Sequence, residues 1–351
     1  MKAAVVYGAN DIRVEDVSTP KPSRGEVLVK VRASGVCATD VKILGGNGLP
    51  KKLPTILGHE VAGIVAEVGS EVPDVTAGGR VAIYPVAACG HCFFCSRDKH
   101  SLCLEPYGLA HGADGGFAEY VLIPRQIVSL GGVINIEQMP FDLAAMVEPV
   151  SCCLAAAERC GTASGQTVAV VGCGPLGQLH IIVAKAFGAR VIAIDPRGDR
   201  LARADMLGAD FTVDPKDRDP RKAVRDLTQV GADVVIAALG VTKVVEESVG
   251  LVRNGGVFNI FGGTPSGETF VIDPRLIHYG EVTVTGTFAA SLPQYVRAFR
   301  FVAEHSSLIG NVISNRCSLD DLLDAVSAIK QGTAQKTILT FSPKPLRSLE
   351  Q

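Results

Sequence analysis

The rhythm of apolar positions changes near residue 150. Upstream, short β-rich runs such as Val27-Leu28-Val29-Lys30-Val31 and Gly63-Ile64-Val65-Ala66-Glu67-Val68 are separated by Gly- and Pro-rich turns. This pattern predicts a compact, mostly antiparallel domain over residues 1–150. Downstream, buried-type, mostly apolar strands at Thr167–Val171, Val191–Ile194, Asp233–Ala237 and Val257–Phe261 alternate with helical periods such as Leu176–Phe187 and Arg200–Leu207. Strands of this kind are buried on both faces, so residues 151–290 predict a doubly wound parallel sheet covered by helices, in an α/β chain. From about Leu292 a helix and a last strand, Lys336–Phe341, predict a tail (291–351) that returns to the first domain. The middle then reads as an inserted nucleotide-binding unit.

The first of its strands runs into Gly172-Cys173-Gly174-Pro175-Leu176-Gly177, a G-x-G-x-x-G turn that opens a helix. Gly172 permits the tight turn, Gly174 lets backbone approach a pyrophosphate, and Gly177 allows close packing of helix on strand. The helix N-terminus offers unpaired N–H groups to the phosphates, with Leu176 in the same turn. Glycine patterns alone are weak evidence, but the flanking strand and helix agree with this one. So does Asp195, 21 residues beyond Gly174, whose carboxylate is placed to accept from the adenosine ribose hydroxyls. A carboxylate there favours NAD over NADP, while Arg197 and Arg200 beside it weaken that preference.

Composition narrows the class. Hydrophobic residues make up 47% and charged residues 20%, ordinary for a chain with sizeable cores, and the formal net charge of −2 gives no nucleic-acid footprint. Met1–Val6 meets Gly8 and Asp11 too early for a signal-peptide core, and Lys185 and Arg190 interrupt the most apolar stretch. A cytoplasmic chain that spans no membrane is expected, and its ten cysteines read as thiols. Four of them, Cys89, Cys92, Cys95 and Cys103, form C-x2-C-x2-C-x7-C in a lobe at 85–105. Four thiolates can close a tetrahedral shell around Zn²⁺ with no open position, which predicts a structural zinc. An iron–sulfur cluster is the competing reading. His91 is at best a spare ligand and otherwise a solvated loop residue.

Reactive metal would have to sit elsewhere. Cys37 heads Cys37-Ala38-Thr39-Asp40, His59 and Glu60 are adjacent in Gly58-His59-Glu60, and Glu148 lies where the two domains join. One thiolate, one imidazole and a carboxylate or water suit a zinc with an exchangeable position.

The chain resembles the zinc-dependent medium-chain dehydrogenase/reductase (alcohol dehydrogenase) family along essentially its whole length. Gly58-His59-Glu60-x2-Gly63-x5-Gly69-x2-Val72 fits that family's zinc signature. The resemblance implies a GroES-like catalytic domain with a Rossmann unit, a catalytic zinc on Cys37 and His59, and a structural zinc on the cysteine lobe. Glu60 is then a ligand or exchanges with water. Glu148 takes the position that the sorbitol dehydrogenase-like polyol branch fills with glutamate, with Cys152 and Cys153 as thiol competitors. Thr39 matches the hydroxyl that receives the alcohol proton, and its alternative role is to stabilise a turn. Asp40 resembles the carboxylate that orients the zinc histidine. Lys42 replaces a proton-exit histidine, and Ala38 lacks an arginine contact to pyrophosphate. Lys336 resembles a basic phosphate contact, with an exposed strand lysine as the alternative.

The implied reaction is hydride transfer from a secondary alcohol to NAD. A polyol is favoured by Glu148 and by the likeness of Gly286-Thr287-Phe288 to that branch. Simple secondary alcohols or a threonine-like amino alcohol are the alternative, and a non-catalytic nucleotide sensor is a third reading. The expected partners are an alcohol or ketone and further copies of the chain, as homodimer or homotetramer, with contact near Val282–Thr285.

Overall fold

The computed structural model describes residues 1–46, 48–50 and 52–341. Two compact units emerge, Met1–Glu148 with the chain from Ser291, and Pro149–Ala290. The division falls two residues before the compositional change at 150, inside the continuous helix Val147–Cys160.

In the first unit the strand Val27–Val36 is the organising element. It pairs antiparallel with Glu60–Val68, with Tyr120–Ile123 and with the tail strand Lys336–Thr340. The returning tail is therefore part of the same sheet. Val27, Val29 and Val31 alternate into a core with Val61, Val65, Val81 and Ile83, as a half-buried sheet requires.

The second unit is a six-stranded, all-parallel sheet. Its spatial order is Phe211–Val213, Arg190–Ile194, Thr167–Val171, Ala232–Ala237, Val252–Ile260, Thr283–Gly286. The order reverses at Thr167–Val171, and ligands of open α/β sheets bind beyond the strand ends at such a reversal. Every residue of Thr167–Val171 is buried, which explains its unbroken apolar run. The helix Pro175–Ala186 packs on this strand and on Arg190–Ile194.

One buried residue on that helix gives a pH signature. His180 lies against Phe261 with ring centroids 4.3 Å apart, and among the described residues neither ring nitrogen has a hydrogen-bond partner. Burial pushes its pKa down from 6.5 to about 3. Between those values the unfolded chain binds a proton that the folded chain does not, so stability falls as pH drops through the window. His180→Leu removes that proton. The unfolding free energy of the wild type relative to this variant should fall by about 1–2 kcal/mol between about pH 6.5 and 5. Urea denaturation at the two pH values measures it, and parallel slopes would mean that His180 titrates normally in the folded chain.

Candidate active site

The strand Val27–Val36 ends directly before the helix Ala38–Leu44, and Cys37 is the N-cap between them. Asp40, wholly buried in the first turn, accepts the Cys37 backbone N–H at 2.9 Å through one oxygen. Its other oxygen lies 3.6 Å from His59 Nδ1 and accepts the Gly58 N–H at 3.4 Å. One carboxylate therefore fixes both the cysteine and the histidine. Burial opposes charge on His59, but the charge and hydrogen bond of Asp40, then those of Cys37, outweigh it and raise its pKa well above the usual value. With Nδ1 facing Asp40, Nε2 is the ring nitrogen left to serve as a ligand atom once a metal displaces its proton.

Glu60 starts the next strand opposite Gly35. Glycine there leaves room for the carboxylate, because a Cβ on Gly35 would lie 1.7 Å from Glu60 Oε2. Ligand atoms of Cys37, His59 and Glu60 all lie within 4.8 Å of one another. These three fit a single metal ion.

Lys336 departs from both expectations for it. It is 4% exposed, and its ammonium pairs with Glu60 Oε2 and donates to the Val36 carbonyl at 3.3 Å. Burial opposes its charge, but Glu60, Cys37 and Glu148 outweigh it, so the pKa rises. The lysine is thus a counter-charge beneath the metal ligands, placed there because Thr337 pairs with Val36 in the sheet. Removing one partner of a buried pair strands the other. Lys336→Met is expected to lower the urea unfolding free energy by about 3–5 kcal/mol, and adding Glu60→Gln should recover most of that loss. A cost in the single variant as small as that of an exposed pair would contradict the closed ion pair.

Glu148 stands in the first turn of Val147–Cys160, half-buried. It is outside the Cys37–His59–Glu60 triplet, but its charge acts on both Lys336 and the buried Tyr295, whose hydroxyl donates to the Ile83 carbonyl at 3.0 Å. Glu148 therefore borders the same centre. Cys152 and Cys153 join no metal-type group among the described residues, and the Cys153 thiol donates to the Leu176 carbonyl at 3.8 Å. Thr39 and Lys42 are exposed on the helix that Cys37 caps.

In the lobe, Cys89, Cys92, Cys95 and Cys103 converge, with Cys89 and Cys95 sulfurs 3.8 Å apart. A tetrahedron of sulfurs about 2.3 Å from zinc has edges of about this length. Backbone N–H groups support the thiolates, Cys89 donating to Cys103 Sγ and Cys92 to Cys89 Sγ, each at 3.4 Å. His91 is exposed, with Nδ1 on the Cys89 carbonyl at 2.9 Å, so it is not the spare ligand.

At the dinucleotide turn, Gly172 has φ of +89°, and a Cβ on Gly177 would lie 1.9 Å from the Gly172 carbonyl oxygen. Gly174 caps the helix with no side-chain hydrogen bond, and a Cβ there would meet nothing within 4 Å. That leaves an open anion-facing helix start. Asp195 directly follows the second strand and is 2% exposed, with oxygens that accept the N–H groups of Cys173 and Arg197 at 2.8 and 2.9 Å. Arg200 Nη1 lies 3.4 Å from it, so this arginine is a partner of the acid.

Comparison with known proteins agrees with this geometry. Residues 23–131 match the alcohol dehydrogenase GroES-like domain and residues 175–304 the zinc-binding dehydrogenase domain. The sorbitol dehydrogenase of Bacillus subtilis (strain 168) is 31% identical over 338 residues, 94% of either chain. This chain belongs to the zinc-binding alcohol dehydrogenase family. Another relative of the dehydrogenase, the L-threonine 3-dehydrogenase of Pyrococcus abyssi, is 36% identical over 291 residues, 82% of this chain and 81% of its own. A zinc-binding dehydrogenase from Sinorhizobium meliloti 1021, solved with NADP bound, superposes with a TM-score of 0.90 at 35% identity. That match covers 97% of this chain and 99% of the other. The dehydrogenase thus has the GroES-like and Rossmann units of its family, with residues able to hold two zinc ions and a nicotinamide dinucleotide. Sequence patterns missed two structural partners of the site, Gly35 and Tyr295, and gave Lys336 a phosphate or surface role in place of its pairing with Glu60.

Proposed function

We propose that the dehydrogenase oxidises a polyol or sugar alcohol at a secondary carbinol to the ketone, with NAD⁺ as acceptor. The convergence of Cys37, His59 and Glu60 over a buried Asp40, with Glu148 at the border, carries this reading. Cys37 and His59 would hold the catalytic zinc, with Glu60 or Glu148 completing the shell. Bound zinc supplies Lewis-acid polarisation of the substrate oxygen, and the bound dinucleotide supplies the hydride acceptor.

The chain's own residues do the rest. Asp40 holds the zinc-binding tautomer of His59. Lys336 shares the Glu60 carboxylate and so sets how much of it is available to a metal. Thr39, exposed two residues after Cys37, offers the hydroxyl that takes the alcohol proton. Lys42 is exposed on the same helix, and the proton leaves through solvent. Gly172, Gly174, Leu176 and Gly177 form the pyrophosphate turn, and Asp195 faces the ribose with Arg200 against it.

A panel of polyols, simple secondary alcohols and L-threonine, offered with NAD⁺ and NADP⁺ and read by absorbance of the reduced cofactor, tests the proposal. Turnover should be highest with a polyol and NAD⁺. Preference for L-threonine would favour the second reading, supported by the similarity to L-threonine 3-dehydrogenase.

Assembly as a homodimer or homotetramer also belongs to the proposal. Thr283–Gly286 is the edge of the parallel sheet, and Val271, Tyr279 and Phe288 nearby in sequence are each about 70% or more exposed. Sedimentation velocity would contradict this if it showed only monomer. A cytoplasmic location fits the ten free cysteines. No described helix is long and apolar enough to cross a membrane.

A further inference from the structure

The charged cluster beyond the second strand of the dinucleotide unit contains a feature that its glycine turn does not explain. Asp195-Pro196-Arg197-Gly198-Asp199-Arg200 holds two acids and two guanidinium groups, and each guanidinium is taken by a different acid. Arg200 Nη1 is on Asp195 Oδ2 at 3.4 Å, and its buried Nε has no partner among the described residues. Arg197 is at the N-cap of the helix Gly198–Met206, where its backbone N–H donates to Asp195 Oδ1. Its side chain is held by the second acid. Nε and Nη2 meet the two oxygens of Asp199 at 3.0 and 2.8 Å, a complete bidentate fork.

That fork is the geometry by which a guanidinium also grips a phosphate. Arg197 is the cation nearest in sequence to the ribose-facing acid, and it is occupied. Asp199 is also favoured where it stands, in the first turn of a helix whose N-terminus attracts negative charge.

We propose that Asp199 is a positioning residue for cofactor selectivity. By holding the Arg197 fork it keeps that guanidinium from a 2′-phosphate. NAD⁺ preference then rests on two carboxylates, and the second acts through Arg197. The inference rests on the reading that the Gly172–Gly177 turn and Asp195 hold a nicotinamide dinucleotide.

Isothermal titration of the zinc-loaded protein with NAD⁺ and with NADP⁺, without substrate, tests it. The wild type should bind NAD⁺ the more tightly. In Asp199→Ala the ratio of NADP⁺ to NAD⁺ affinity should rise about tenfold at low ionic strength and shrink as salt screens the freed charge. Asp199→Asn, which keeps an acceptor oxygen without the charge, should give an intermediate rise. Adding Arg197→Ala to Asp199→Ala should cancel most of the gain, which a general loosening of the helix start would not do. An unchanged ratio in Asp199→Ala, or a gain that survives loss of Arg197, overturns the inference and leaves the dinucleotide reading standing. A wild type that binds neither cofactor removes both.

Discussion

Cys37→Ala is expected to cost the protein one of two zinc ions and to lower kcat/KM by at least about a thousandfold, the scale on which removing an electrophilic stabiliser acts. The reasoning begins at the backbone. Cys37 is the last residue before the helix Ala38–Leu44, and its sulfur is one of only three metal-type ligand atoms gathered at the centre among the described residues. His59 and Glu60 alone would leave a two-ligand site, and Glu60 is already shared with Lys336. Asp40 still accepts the backbone N–H of residue 37 in the variant, so the helix start survives and the loss should be chemical. Zinc counting by mass spectrometry alongside turnover of the best substrate checks both halves. Near wild-type turnover with a single zinc per chain would contradict the assignment.

Cys103→Ala is expected to act on stability. The lobe has almost no core of its own, since only Ala88, Cys95 and Cys103 form its buried cluster, with Leu130 against them. Phe93, Leu102 and Leu104 are exposed, and the regular structure is a two-residue strand, Val86–Ala87, and two single turns, Cys95–Arg97 and His100–Leu102. The metal therefore supplies most of the folding energy there, and structural zinc sites contribute about 10–16 kcal/mol in isolated peptides at neutral pH. Losing a ligand should free the lobe zinc, open residues 85–105 to limited proteolysis and lower global stability by about 3 kcal/mol or more. The thiols are unequal before metal binds. Backbone N–H groups of Leu104 and Cys95 draw the Cys92 pKa down, and burial pushes Cys95 up. Protons compete with zinc for these sulfurs, so zinc retention should weaken as pH falls. A lobe that stays protease-resistant after metal loss would contradict this account.

How much of this was legible depended on whether the signal was local. The strand Thr167–Val171 was readable to the residue, because buried parallel strands are apolar without interruption. Arg190 and Ala232 each start a strand one residue before its predicted run, Val252 starts another well before Val257, and the short edge strand Phe211–Val213 carries too little pattern to see. The unit boundary was displaced for a related reason. Composition changes near 150 while the helix Val147–Cys160 runs straight through, so no turn residue marks the division. At the site, the four-cysteine lobe follows from residue type and spacing, whereas Cys37 and His59 follow from the family resemblance. Lys336 could not be placed that way. Its burial depends on strand pairing across some 300 residues of chain, and Glu60 depends on the absence of a side chain at Gly35. Asp195 was readable as an acid just beyond the second strand, but the arginine partners that hold it depend on how the next helix begins.

The central claim is that one zinc maintains the fold while a second, at Cys37 and His59, is required for turnover. Stepwise return of zinc to the metal-depleted protein, with protease resistance of the lobe and alcohol-dependent NAD⁺ reduction followed together, tests it most directly. The first equivalent should restore resistance without turnover, since four thiolates outcompete the mixed site, and turnover should rise only with the second. Full turnover at one equivalent, or turnover indifferent to zinc, would contradict it.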